Sequence, residues 1–117
     1  MQTKGFMRAA TLVAVGSVLV SGAASAAWAQ DAKTLYEKNC VACHGAAGKG
    51  DGAVAKMLKP PPEDFATALK GKSDADVAKV IKEGGKAVGK SASMPAYGSK
   101  MNDEQIKGLV DYIKGLK

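Results

Sequence analysis

Cys40-Val41-Ala42-Cys43-His44 is the stretch that decides how this chain is read. Its two thiols stand at i and i+3, so on a helical turn they project from the same side. An imidazole follows at once, and His44 is the chain's only histidine. A redox dithiol of the thioredoxin kind expects a βαβ setting, and no segment here alternates as a strand does. Structural zinc wants four ligands, and two thiols with one imidazole leave it short. A plain disulfide leaves the adjacent His44 without a role. Attachment of a c-type haem uses all three side chains. Cys40 and Cys43 can reach the two vinyl groups along one porphyrin edge, and His44 then aims at the iron as proximal ligand. Its second ring nitrogen needs an acceptor to fix the tautomer, and a carbonyl of Pro60 to Pro62 is the candidate.

The chain before this motif fits export. Met1 to Arg8 carries Lys4 and Arg8 and no acid, Ala9 to Val20 is mostly apolar, and small residues follow to Ala29. Basic head, apolar middle and small-residue exit make a cleaved signal peptide over residues 1–29. Cleavage fits after Ala26 or after Ala29, and the turn to polar sequence at Gln30-Asp31 favours Ala29. The apolar run is shorter than the roughly 20 residues of a spanning helix, so no stable membrane insertion is expected after cleavage. Periplasmic residence follows, which agrees with haem attachment outside the cytoplasm.

The remaining domain, residues 30–117, is small enough that apolar burial is marginal. Its aromatics are Tyr36, Phe65, Tyr97 and Tyr112 alone. So light a core needs a staple such as a bound cofactor. Without Lys4 and Arg8 the charge balance falls from 17 basic against 11 acidic residues to 15 against 11, and every remaining basic residue is Lys. A modest positive surplus suits transient docking to redox proteins with acidic surfaces. With no Arg for base contacts and no dense basic run, nucleic acid is not an expected partner.

Helical signals run through the chain. Asp31 to Cys43 lacks Pro and Gly, with Asp31 able to cap. Ala53 to Leu58 reads as a short helix stopped by Pro60-Pro61-Pro62, with Met57 in its core. Asp64 caps a short helix to Leu69. Ser73 with Asp76 approximates a capping box for a helix carrying Val77, Val80 and Ile81 and ending at Gly84-Gly85. Lys86 to Lys100 reads as a long loop. Asn102 with Gln105 caps the last helix, Met101 with Ile106 staples it, and Ile106, Leu109, Val110, Ile113 and Leu116 form its apolar face. An all-α fold of about four to five helices wrapped around one covalently attached haem is expected. The glycine-rich stretch Gly45 to Gly52 fails as a phosphate loop, because Asp51 stands where a Walker motif needs Lys; it reads as a permissive turn.

With His44 used, the sixth iron position falls to a methionine: Met57, Met94 or Met101. Met94 is preferred. It lies in a loop, free to approach the far face of the haem, and Pro95 stiffens it. Met101 already serves as the staple residue. Thioether ligation raises the reduction potential relative to a second imidazole.

On Cys40, Cys43, His44, the glycine-rich run at Lys49 to Gly52, Met94-Pro95 and the closing helix with Tyr112, the sequence resembles a class I c-type cytochrome of bacteria. The resemblance covers nearly all of the mature chain. It implies that the first and last helices cross, with Leu35 or Tyr36 meeting Leu109 or Tyr112, and that Met94 ligates iron opposite His44. It implies a one-electron carrier rather than an enzyme. A haem c subunit of a larger dehydrogenase or oxidase is the alternative, then a ligand-binding or peroxidatic protein with a labile sixth site. The chain departs from the family at the haem propionates: its only Trp, Trp28, falls within the leader. Lys38, Lys49, Lys86, Lys90 and Lys100 flank the haem-binding segments as a candidate docking rim.

Overall fold

The computed structural model describes residues 23–116, with side chains from Asp31 onward, and isolated Ala14 and Gly16. Of the expected leader, residues 1–29, only Ala14, Gly16 and 23–29 lie among the described residues, the last as the start of the first helix. Among the described residues five α-helices follow one another: α1 (Ala23–Asn39), α2 (Val41–His44), α3 (Phe65–Ala68), α4 (Asp74–Glu83) and α5 (Asp103–Gly115). Single 3-10 turns stand at Ala55–Met57 and Lys86–Val88. Among the described residues there is no strand, as the absence of period-two patterning implied. None of the described helices is long and apolar enough to cross a membrane.

Both longer capped helices start where their local chemistry dictates. Ser73 Oγ accepts from the Asp76 N–H at 3.1 Å, and the Asp76 carboxylate accepts from the Ser73 N–H at 3.1 Å. That N–H holds the Asp76 carboxyl below its usual range. Asn102 and Gln105 make the same reciprocal pair at 2.8 and 2.9 Å. Each such cap is worth about 1 kcal/mol. Asp64 caps α3 through Ala66 N–H, and Gly84, at φ +83°, closes α4.

Three local expectations fail. Asp31 does not cap, because α1 already runs from Ala23 and carries Asp31 inside it. The first helix does not continue to Cys43: it stops at Asn39, and Cys40, at φ −119°, separates it from α2. The helix expected over Ala53 to Leu58 is only a three-residue turn, and Met57 is 73 % exposed rather than core. Pro60-Pro61-Pro62 allow no more than this single 3-10 turn, which leaves Met57 at the surface.

The core forms where α1 and α4 pack on α5, with α1 and α5 making the most extensive contact. Gly108 of α5 faces Ala32 of α1; a Cβ there would stand 3.6 Å from Ala32 Cβ, an ordinary packing distance. Tyr36, Leu109 and Val110 are the largest fully buried side chains. Tyr36 and Tyr112 rings lie 5.3 Å apart, so the crossing predicted between Tyr36 and the Leu109–Tyr112 region forms. Met101 and Ile106 are both buried in this cluster, in the staple positions. Lys82 and Asp103 (2.6 Å), and Lys114 and Asp74, tie α4 to α5. Both pairs are largely exposed, so each adds at most about 1 kcal/mol.

Candidate cofactor site

The packed helices leave a cavity of about 650 Å³ between them and the loops. Cys40, Cys43 and His44 line it on one side. Val77, Val80, Ile81, Leu109 and Ile113 supply an apolar wall from α4 and α5. Met94 and Tyr97 line it from the long loop, and Met101 from the start of α5. Of the three methionines weighed for the sixth position, Met57 is absent from this lining. Met101 is buried in the helix core, whereas Met94 is half-buried on the loop.

The glycine-rich stretch is more than a permissive turn. It folds back on α2 and satisfies the carbonyls that the helix end leaves orphaned. Gly50 N–H donates to His44 O at 2.8 Å, Gly52 N–H to Cys43 O at 3.2 Å, and Val54 N–H to Ala42 O at 3.0 Å. This wrap needs glycine at several places, Gly52 and Gly48 among them. A Cβ on Gly52 would lie 2.3 Å from Ala42 O, and one on Gly48, at φ +69°, would lie 2.3 Å from the Phe65 ring. The loop thereby holds the thiol-bearing turn against the cavity. Tyr36 adds a clamp from below: its hydroxyl donates to Gly45 O at 2.6 Å, and burial pushes the phenol up to about 12.

Phe65 is the site residue that sequence reasoning missed. Its ring stacks on the His44 imidazole with centroids 4.8 Å apart and planes 25° apart. It is also bonded into the site, since Phe65 N–H donates to Gly48 O at 2.8 Å. The only hint in the sequence was its place directly after the Asp64 cap. Nothing local says that a residue 21 positions on will meet His44.

The electrostatics suit a ligand rather than a redox dithiol. Both thiols are free. Burial, then the neighbouring Cys43, pushes the Cys40 thiol up to about 11. Reactive dithiols have depressed thiol values instead. Burial lowers the His44 imidazole, which keeps it neutral with a lone pair to give. His44 Nδ1 is buried with no hydrogen-bond partner. The expected bond to a Pro60–Pro62 carbonyl is therefore not made. The three prolines do line the cavity, with Lys59-Pro60 cis, but the Pro62 carbonyl packs against Gly50.

Two thiols one helical turn apart, a neutral imidazole beside them and an apolar cavity with a methionine on its lining fit haem c. The comparisons agree. The cytochrome c family model matches residues 29–117. The chain is similar to a cbb3-type cytochrome c oxidase subunit CcoP of Azospirillum brasilense, 34% identical over 91 residues, covering 78% of this chain and 29% of that protein. A CcoP subunit of Azospirillum sp. (strain B510) is 33% identical over 95 residues, covering 80% of this chain and 30% of that protein. The chain thus spans less than a third of the length of these relatives. It belongs to the cytochrome c family, and is an electron-transfer protein that carries covalently bound haem c.

Proposed function

We propose that this chain is a periplasmic monohaem carrier of single electrons, exported by a leader cleaved after Ala29. Haem c supplies an iron that cycles between ferrous and ferric states with no bond made or broken in a substrate. In this reading Cys40 and Cys43 form the thioethers, His44 is the proximal ligand and Met94 the distal one. The observation that carries it is the presence of all four on one cavity. The apolar wall of Val77, Ile81 and Leu109 keeps water from the iron. The glycine wrap and the Tyr36 clamp hold the proximal side still, so that little has to move when the charge changes.

An absorption spectrum of the purified protein, oxidised and reduced, tests this directly. A haem c spectrum with the charge-transfer band of Met-ligated ferric haem is expected. Met94→Leu should lose that band and bind cyanide readily, with the fold retained. A Met94→Leu protein that keeps the band would move the ligand to Met101.

Docking is proposed to use the exposed Lys38, Lys49, Lys86, Lys90 and Lys100. Lys90 lines the cavity, and Lys100 lies over the Tyr97 ring, 5.9 Å from its centroid. A positive rim near the haem edge steers an acidic redox partner. Converting Lys86, Lys90 and Lys100 to Gln should slow transfer at low ionic strength about tenfold or more and flatten its salt dependence. An unchanged rate and salt slope would remove the rim from the mechanism.

A second reading has one specific observation behind it: both relatives are oxidase subunits more than three times as long as the matched segment. In that reading the chain is the haem c module of a larger oxidase assembly. Gel filtration of the native protein separates the two readings, since a carrier elutes alone. A labile sixth site with peroxidatic chemistry is distinguished by carbon monoxide binding to the wild-type ferrous protein.

A further inference from the structure

The loop that carries Met94 is held to two parts of the fold by different kinds of bond. Backbone bonds fasten it to the end of α4. Gly85 N–H donates to Met94 O at 3.0 Å, Tyr97 N–H to Ile81 O at 2.9 Å, and Gly98 N–H to Lys82 O at 3.0 Å. The paired glycines allow this closeness; a Cβ on Gly85 would lie 2.1 Å from Ser91 O and 3.3 Å from Met94 Cβ. On the opposite side a side chain does the fastening. The Tyr97 hydroxyl donates to Asn39 O at 3.1 Å, across 58 positions of sequence. Asn39 ends α1 and immediately precedes Cys40. The Tyr97 ring, half-buried, lines the same cavity as Cys40, Cys43 and Met94.

We infer that Tyr97 is a positioning residue for the sixth coordination site: its hydroxyl, bonded to Asn39 O, ties the Met94 loop to the turn that carries the thiols. This rests on the proposed ligation by Met94. The backbone bonds fix the loop relative to α4, but they do not set its distance from Cys40. The hydroxyl bond does. A loop containing Gly89, Ser91 and Ser93 has many other conformations to visit, and the open ones leave the distal side free for another ligand. Removing the hydroxyl leaves the ring's packing and the Lys100 contact in place, so the fold persists while the closed loop loses its tie. A single hydrogen bond of this kind shifts an equilibrium about three- to tenfold. The apparent affinity of an outside ligand rises by the same factor, because it binds the open fraction alone.

The test compares wild-type, Tyr97→Phe and Ser73→Ala holoproteins, each purified with covalent haem. Cyanide binding to the ferric form is titrated by absorbance, and the methionine charge-transfer band is followed as pH rises. Tyr97→Phe should bind cyanide about three- to tenfold more tightly, and lose the band about half to one pH unit earlier. Ser73→Ala also removes a hydrogen bond, but one away from the Met94 loop, the α4 cap on Asp76 N–H. It should lower the denaturation midpoint and leave cyanide affinity unchanged. Equal loosening by both variants would overturn the proposal, since the effect would then be general destabilisation. So would an unchanged Tyr97→Phe with the band present in wild type. Absence of the band in the wild type instead overturns the Met94 reading, a failure seen before any variant is made.

Discussion

Replacing both Cys40 and Cys43 with alanine should yield an exported product without bound haem and without native helix content. The reason is the size of the cavity against the size of the core. Among the described residues the buried core is light, with only Tyr36, Leu109 and Val110 large and fully enclosed. The unfilled space is about 650 Å³, several times the void left by deleting one core side chain, and such a deletion alone costs about 2–5 kcal/mol. A typical domain has only about 5–15 kcal/mol of stability to lose. Water entering from the open mouth lowers the cost of the void, but it then wets Val77, Ile81, Leu109 and Ile113. Either way the helices lose the surface they pack on. Far-UV circular dichroism reads the helix content, and mass spectrometry reads the added tetrapyrrole. A haem-free double variant with wild-type helix content would show that the chain organises its core unaided.

The second large effect is expected at Tyr36, the most enclosed aromatic side chain of the described core. Its ring meets Tyr112 at 5.3 Å and Phe65 at 6.5 Å, so it joins α1 to α5 and to the residue stacked on His44. Its hydroxyl holds the first carbonyl of the glycine wrap. Tyr36→Ala should therefore lose about 3–5 kcal/mol, the usual cost of emptying a large aromatic site. Tyr36→Phe keeps the ring and orphans Gly45 O, at a cost of about 1–3 kcal/mol. Guanidinium denaturation of the holoproteins gives both numbers. A Tyr36→Ala loss under about 1 kcal/mol would mean that the α1–α5 crossing does not depend on this ring. Comparable losses in the two variants would assign the whole effect to the hydroxyl.

What the chain announces by itself is whatever depends on residues close in sequence. The thiol spacing and adjacent imidazole name the cofactor because the porphyrin edge is met within one helical turn. The capping pairs Ser73–Asp76 and Asn102–Gln105 were legible because donor and acceptor are three residues apart. The apolar stripe of α5 was legible for the same reason. Tertiary structure alone decided the rest. It turned Met57 outward and placed Met94 and Met101 on the cavity, since burial depends on what the rest of the chain brings alongside. It stacked Phe65 on His44 and left Nδ1 without the expected proline carbonyl. It joined Tyr97 to Asn39. These contacts close loops of tens of residues, and no local preference encodes which side chain will stand at the far end. They form only when helix packing has brought distant segments together.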